Sequence, residues 1–524
     1  MINSPESTSW TADAKPAVLH SAESEHTCMA DTYLNFIGGA WKPSHTGRTF
    51  ERRNPATGEL DGIYTASDAR DVDEAVSAAK EAFRSWRLYP APKRGELLYK
   101  AARILEDRKE EFAREMTAEM GKVIDEARGD VQEAIDMAYY MAGEGRRMFG
   151  QTTPSELRNK FNMSVRKPLG VCGFITPWNF PMAIPSWKMF PALVTGNTVV
   201  IKPASFTPKL TIRLVQVLEE AGFPAGVVNV VLGSGSEVGD PILQHPDVPV
   251  ISFTGSTETG KAVAVAAAEH NKRLTLEMGG KNAVIVMDDA NLDLAVEGIL
   301  WGAFGTTGQR CTATSRVIVH RAVQAELAGK LAARASKMTL GYGQDESVDV
   351  GPVVSQGQLD TVASYVKIGQ EEGATLIAGG NVATAGELGK GFFHEPTIFD
   401  NVTRDMRIAN EEIFGPVLSL IPVDSLDEAI DIANSVEYGL SAALFSQNVN
   451  NAFRAMQDIN TGILYINAGT TGAEIHLPFG GTKATGNGHR EAGTAAVEFY
   501  TEWQSIYVDY SGKLQRAQID AVEK

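Results

Sequence analysis

Cys311 stands in Gly308-Gln309-Arg310-Cys311-Thr312, among polar neighbours and beside a cation. A thiolate is a strong nucleophile near neutral pH, and an adjacent guanidinium lowers a thiol pKa. Gly305 and Gly308 allow a backbone turn to approach a ligand closely. A cysteine is more often a small buried apolar side chain, and Cys172, inside the run Val171–Ile175, has that character. Glu277 follows Leu274-Thr275-Leu276 and precedes Met278-Gly279-Gly280-Lys281, which places it at a strand end in tight surroundings. Burial there raises a carboxyl pKa towards neutrality, as a general base requires, although a lone glutamate is ordinarily a solvated charge. Asn179 lies between Pro177 and Pro181 with Trp178 and Phe180 as apolar walls, so its amide could donate to a developing oxyanion. An asparagine that merely closes a turn is the commoner case. Lys202 follows Val199-Val200-Ile201, and Ser256 stands where Thr254–Gly260 opens a helix. A lysine and a helix start with Gly and Ser suit a phosphate, without the G-x-G-x-x-G or Walker A spacing.

These residues need a scaffold, and the spacing predicts one. Asp71-x-x-Glu74 reads as a capping box, with Val72, Val76, Ala79 and Phe83 following at helical spacing. Leu97 to about Gly143 is a long Ala-rich, charged helical region. Four short apolar runs then alternate with helical stretches: Val171–Ile175, Val199–Ile201, Val228–Leu232 and Val250–Phe253. Such alternation predicts a parallel sheet covered on both faces, with ligands beyond the carboxyl ends of its strands. A second alternating stretch runs from Ala283 to about Ile466. Tyr500–Val508 alternates as an exposed edge strand would, and Gly512–Lys524 reads as a short polar helix or a tail.

Composition narrows the class. The chain has 524 residues, more than one core usually holds, so at least two domains are expected. It is 43% hydrophobic and 22% charged, within the globular range. A net charge of −17 argues against nucleic-acid or anionic-membrane surfaces, and no apolar run is long enough to span a bilayer. Three cysteines, Cys28, Cys172 and Cys311, cannot form a disulfide framework, and a reducing, cytoplasmic setting is expected. Residues 1–30 have neither the basic-then-apolar order of a secretory signal nor any arginine, and are expected to be a disordered tail. The nine histidines are scattered, so no metal site is expected.

Seven segments in order resemble the aldehyde dehydrogenase superfamily: Pro177–Pro181, Lys202-Pro203-Ala204, Phe253–Ser256, Glu277–Lys281, Gly308–Cys311, Glu411–Pro416 and Pro478–Gly481. The resemblance covers about residues 33–508 and is strongest to the branch oxidising semialdehydes such as 2-oxoglutarate and succinate semialdehyde. It implies an α/β fold: a Rossmann-like cofactor domain (31–150 and 170–275), an α/β catalytic domain (276–466) and a small β-arm for oligomerisation (151–169 and 490–510), with 511–524 a tail. A homodimer or homotetramer is implied through the arm.

The resemblance also implies a mechanism. Cys311 attacks the aldehyde, the Asn179 amide and the Cys311 N–H hold the oxyanion, hydride passes to NAD or NADP, and Glu277 activates water to hydrolyse the thioester. Glu277 can first help deprotonate the thiol. Lys202 and Glu412 would meet the two riboses, Phe414 the nicotinamide side and Ser256 the pyrophosphate. Ile175, Thr176, Pro177, Trp178, Gly235 and Gly239 would line the same cleft. Many NAD-preferring members carry a glutamate where this chain has Ser205, which leaves room for a 2′-phosphate and offers it a hydroxyl donor, so NADP is expected to be accepted. Phe180, Trp187 and Phe479 suggest an apolar tunnel for a small aldehyde, with ordinary core packing as the other reading of these rings. Several semialdehyde enzymes have an arginine six residues before the cysteine. Here Gly305 stands there, leaving Arg166 or Arg310 to hold a distal carboxylate. Two other classes stay open: a catalytically inactive binding protein of the same fold, which the intact Cys311, Glu277 and Asn179 disfavour, and a coenzyme A-acylating enzyme, which Glu277 disfavours.

Overall fold

The structure is a computed structural model and describes residues 31–520. The expected tail at 1–30, with Cys28, lies outside the described residues.

Apolar runs covered on both faces become central parallel strands. Val171–Ile175, Thr198–Lys202, Val228–Val230 and Val250–Thr254 are buried along almost their whole length. They form five parallel strands with Arg273–Glu277 at one edge; an antiparallel hairpin, Asn35–Ile37 with Ala40–Lys42, closes the other edge. Val171–Ile175 lies between Thr198–Lys202 and Val250–Thr254, so the winding reverses at its carboxyl end and opens a crevice there. One face is covered by Ala69–Trp86 and Thr257–Glu269. The other is covered by a thick helical layer that includes Ala91–Asp107, Ile124–Glu144 and Ala183–Thr195.

The second sheet runs Thr375–Ala378, Thr397–Asp400, Val417–Val423, Thr314–His320, Asn282–Val286, Ser441–Phe445, Ile463–Ile466, parallel except for its first pair. The two sheets meet at a short link. Glu277 ends the edge strand of the first, and Asn282 begins a central strand of the second, paired with Thr314. A third sheet joins Gln151–Thr153, Lys160–Pro168 and Thr501–Asp509, all antiparallel. Among the described residues no helix is long and apolar enough to cross a membrane.

Two local expectations are corrected and one is decided. The first helix is Ala69–Trp86 and its cap is Asp68: Asp71 is the third helical residue, and its carboxylate accepts from the Asp68 N–H. The region 97–143 is three helices, Ala91–Asp107, Lys109–Met120 and Ile124–Glu144. The second ends at Gly121, whose φ of +96° closes a left-handed cap that a side chain would strain. Of the two readings of Gly512–Lys524, the helix is not found in the described residues 512–520, which bend and end in a turn at 517–520, and Gln515 donates to the Arg158 carbonyl in the connection before Lys160–Pro168.

Lys122 follows that cap and is fully buried. Its Nζ donates to Asp130 at 2.9 Å, and Asp130 also accepts from the Ala183 N–H at 2.8 Å. This ion pair ties the helix Ile124–Glu144 to the start of Ala183–Thr195. Lys122→Met would leave Asp130 buried without its partner, a loss of about 3–5 kcal/mol. A thermal melt is expected to show a clearly lowered midpoint; an unchanged midpoint would contradict the assignment.

Candidate functional site

Cys311 lies three residues before the strand Thr314–His320, in a segment shaped by strain. The helix Leu292–Phe304 gives way to Thr306 and Thr307, both left-handed at φ +50° and +56°, and then to Gly308 at φ +69°. Left-handed β-branched residues cost energy and persist only where neighbours over-determine them. Glu126, from the helix Ile124–Glu144, supplies that restraint. Its carboxylate accepts from the Thr306 N–H at 2.7 and 2.8 Å and from Arg310 Nη2 at 3.1 Å, while Arg310 Nε donates to Thr306 Oγ1 at 2.9 Å. On the other side, Asn282 Nδ2 donates to the Cys311 carbonyl at 2.7 Å and to that of Ala313 at 2.9 Å. Gly305, expected to aid the turn, has an ordinary φ of −57°.

Cys311 lines two cavities. One, of about 200 Å³, includes Glu277, Arg310, Phe180, Trp187 and Phe479. Trp187 and Phe479 meet edge-on at 5.0 Å. The other, of about 220 Å³, includes Asn179, Pro177, Trp178, Ser256, Glu412 and Phe414. The structure thus brings the three candidate tunnel aromatics to one side of the sulfur and five of the expected cofactor residues to the other.

Glu277 is buried, and among the described residues neither carboxylate oxygen has a side-chain partner. Burial pushes its carboxyl well above the usual range, and the Glu491 carboxylate adds to the effect. Gly480, at φ +146°, makes room for it: a Cβ there would lie 2.5 Å from Glu277 Oε1. Glu491 is itself paired with the buried Lys188. Asn179 Nδ2 donates to the Gln309 carbonyl at 3.0 Å, leaving one amide proton for a ligand.

Glu412 is positioned by the glycine pair. The Gly280 N–H donates to its Oε1 at 2.8 Å, and a Cβ at Gly279 would come within 2.2 Å of its Oε2. Burial raises the Glu412 carboxyl to about 7. Phe414 has a left-handed φ of +56°, with its carbonyl held by Gln358 Nε2 at 2.9 Å, and its ring meets Trp178 edge-on at 5.3 Å. Farther along the sheet end, Ile175 and Lys202 both border Gly239, where a Cβ would meet each at 3.6 Å. Burial lowers Lys202 to about 8. A Cβ on Gly235 would meet open space, and Thr176 Oγ1 is buried without a partner among the described residues. Ser256 caps the helix Thr257–Glu269 by accepting from the Thr259 N–H.

Two electrostatic expectations are corrected. Arg310 does not lower the Cys311 pKa, because it is paired with Glu126; burial, then the Glu277 and Glu412 carboxylates, push the thiol up to about 12. Ser205 does not present a free donor, since its hydroxyl donates to the Gly233 carbonyl at 2.9 Å. Of the two arginines considered for a distal carboxylate, Arg310 lines the first cavity, whereas Arg166 lies in the small sheet, paired with Glu498 and over the Trp503 ring. The sequence reading missed Glu126, Asn282, Gln358, Lys188 and Glu491. Each acts through a fold contact far along the chain, with no local signal. Among the described residues no group of three or more His, Cys, Asp or Glu could hold a metal ion.

Residues 41–506 match the model of the aldehyde dehydrogenase family. The chain belongs to that family. It is 46% identical over 91% of its length to an alpha-ketoglutaric semialdehyde dehydrogenase of Bacillus subtilis, covering 98% of that protein. A malonate-semialdehyde dehydrogenase of Geobacillus kaustophilus is 42% identical, with 91% and 98% covered. Among solved structures, betaine aldehyde dehydrogenase of Staphylococcus aureus in complex with NAD+ matches with a TM-score of 0.90 at 36% identity, covering 92% of this chain and 96% of that one. The fold is therefore that of an NAD(P)-dependent aldehyde dehydrogenase.

Because the Glu277 carboxylate follows burial as the cause of the raised thiol pKa, Glu277→Gln is expected to move the Cys311 titration to lower pH. Alkylation by iodoacetamide at mildly alkaline pH should then run faster than in the parent. Slower alkylation at every pH would mean instead that Glu277 withdraws the thiol proton.

Proposed function

We propose that this cytoplasmic enzyme oxidises a semialdehyde, an aldehyde with a carboxylate at its far end, to the dicarboxylic product by hydrolysis of a Cys311 thioester. The observation that carries the reading is that one sulfur borders both cavities, with Glu277 on one side and Asn179, Glu412 and Phe414 on the other. The two semialdehyde dehydrogenase relatives support the substrate class, and Arg310 is the cation in the first cavity that suits such a carboxylate.

The second cavity suits a nicotinamide dinucleotide. Its carboxylate Glu412 is held by a backbone N–H, against a glycine that leaves it space. Lys202 and the unpartnered Thr176 hydroxyl lie at the same strand ends. With them we assign Ile175, Pro177, Trp178, Ser205, Gly235, Gly239, Ser256 and Phe414 to the dinucleotide, of which Pro177, Trp178, Ser256 and Phe414 line this cavity. When bound, the dinucleotide supplies the hydride acceptor.

Cys311 forms the carbon–sulfur bond to the aldehyde as its thiol proton passes to water and the carbonyl π pair moves onto oxygen. The free Asn179 amide proton and the Cys311 N–H stabilise the resulting oxyanion. Oxidation leaves an acyl group on sulfur. Glu277, buried and without a side-chain partner, has both oxygens available to take a proton from a water that attacks the thioester. Its raised pKa keeps it protonated at low pH, so hydrolysis strengthens as pH rises and Glu277 ionises. The exposed strand Gln151–Thr153 and the edge strand Thr501–Asp509 support assembly into a dimer or tetramer through the small sheet.

Cys311→Ala is expected to abolish reduction of the nicotinamide, followed by absorbance with a panel of aldehydes, while dinucleotide affinity stays near that of the parent. Oxidation surviving in that variant would remove Cys311 from the chemistry.

Ser205 carries no charge to repel a 2′-phosphate, which supports use of NADP beside NAD. Ser205→Glu is expected to lower kcat/KM for NADP at least tenfold while leaving NAD the better cofactor. An unchanged NADP-to-NAD ratio would show that the position does not decide the choice.

A further inference from the structure

The Ser205 hydroxyl donates to the Gly233 carbonyl, so segments 203–207 and 233–237 meet where the strands Thr198–Lys202 and Val228–Val230 end. The adenosine ribose of the proposed dinucleotide belongs there. Neither Ser205 nor the run Gly233-Ser234-Gly235-Ser236 carries a charge, and a Cβ on Gly235 would meet open space. The charges come from a distant part of the chain. Arg52 lies in the strand Thr49–Arg53, and the ladder continues back to Arg48, whose carbonyl accepts from the Ala66 N–H at 2.8 Å. Alternation along this strand puts Arg48, Phe50 and Arg52 on one face. The next residue, Ser67, donates its N–H to the Leu232 carbonyl at 2.9 Å, which sets that face beside the start of the loop at Gly233.

The two arginines bracket Ser205. Arg52 Nε donates to the Phe206 carbonyl at 3.0 Å, and its guanidinium carbon lies 5.0 Å from the centre of the Phe206 ring. Among the described residues its Nη atoms make no hydrogen bond. Arg48 reaches the other segment: its Nη2 donates to Glu237 Oε1 at 2.7 Å, and the Glu237 N–H donates to Ser234 Oγ at 3.1 Å. Among the described residues the Arg48 Nε and Nη1 make no hydrogen bond. The side chains of this pair are 54% and 39% exposed. An ion pair so exposed holds little free energy, so it exchanges readily for a better anion. A phosphate offers Arg48 the same charged oxygen contact, a second negative charge and a bidentate fit to the guanidinium fork. Arg48, Arg52 and Lys202 together outweigh the Glu237 carboxylate. Of the acids acting on Arg52, Asp61 is paired with Lys209, and burial pushes the Glu119 carboxyl up to about 8.

Resting on the proposed dinucleotide site, we infer that Arg48 receives the 2′-phosphate of NADP, leaving Glu237 as that phosphate arrives, and that Glu237 holds the arginine when the ligand lacks the phosphate. The neutral Ser205 admits the phosphate; Arg48 supplies the charge that binds it. Glu237 opposes it twice, by competing for Arg48 and by repelling a second anion at the same place. The two residues therefore act on cofactor choice with opposite signs. A pair that merely held the loop would be lost from either end with the same effect. Arg48 is a specificity residue here and takes no part in bond making.

Binding of adenosine 2′,5′-bisphosphate and of adenosine 5′-monophosphate to the full-length enzyme, each by isothermal titration calorimetry, tests this without turnover. The ratio of the two affinities isolates the 2′-phosphate, and it is read within one preparation, so partial loss of folded enzyme cancels. The parent is expected to bind the bisphosphate more tightly. Arg48→Gln is expected to lower the ratio at least fivefold and Glu237→Gln to raise it at least twofold, with kcat/KM for NADP relative to NAD moving in the same two directions. A parent that binds the monophosphate more tightly, a ratio unmoved in Arg48→Gln, or shifts of one sign in both variants overturns the inference while leaving the dinucleotide site intact. A parent that binds neither nucleotide overturns the dinucleotide site itself, and the inference with it.

Discussion

The site depends on one carboxylate holding a strained turn. Glu126 accepts from the Thr306 N–H and from Arg310, and so restrains two consecutive left-handed threonines, the second of which also donates its hydroxyl to the Gly351 carbonyl. That turn, with Gly308, delivers Cys311 to the seam between two parallel sheets. There the carboxyl end of the strand Arg273–Glu277 meets the amino ends of Asn282–Val286 and Thr314–His320. Asn282 fixes the cysteine carbonyl from the other side. The sulfur can border two cavities because it sits on this seam.

The electrostatics follow from burial more than from neighbouring charge. Cys311, Glu277 and Glu412 are all pushed towards their neutral forms, and each carboxylate discourages ionisation of the thiol. The arginine next to the cysteine in sequence does not offset this, because its guanidinium is turned to Glu126 and Thr306. The resting site is thus close to neutral at its centre, with the paired charges of Lys188–Glu491, Lys122–Asp130 and Arg310–Glu126 set around it. Such a centre keeps the sulfur from ionising idly and leaves its activation to what enters the cavities.

Much of the fold could be read along the sequence because buried parallel strands are written as continuous apolar runs; Val171–Ile175 has the bounds its run predicts. Glu277 at a strand end was legible from the glycines that follow it. Helix ends were less so: Gly121 gave a local signal for a stop, but the break at Arg108 has neither Gly nor Pro, and Asp68 and Asp71 are equally plausible caps by residue type. The state of Arg310 was not legible at all, since Glu126 lies 184 residues away and only the packing of a helix against the turn joins them. The same holds for Ser205, whose hydroxyl is taken by Gly233 across the strand ends, and for Glu491, brought beside Glu277 from the far end of the chain. Motif order identified the family; it carried no information on which polar groups would find partners in three dimensions.

The central claim is that the acyl group passes through the Cys311 sulfur at the meeting point of the two cavities. The most direct measurement is the intact mass of the Glu277→Gln enzyme, quenched after mixing with an oxidisable aldehyde and the oxidised dinucleotide, followed by peptide mapping. A stable added mass equal to the acyl group, on the peptide containing Cys311 and dependent on the dinucleotide, is the predicted result. A variant that turns over the aldehyde and carries no such mass, or carries it on another residue, would contradict the account.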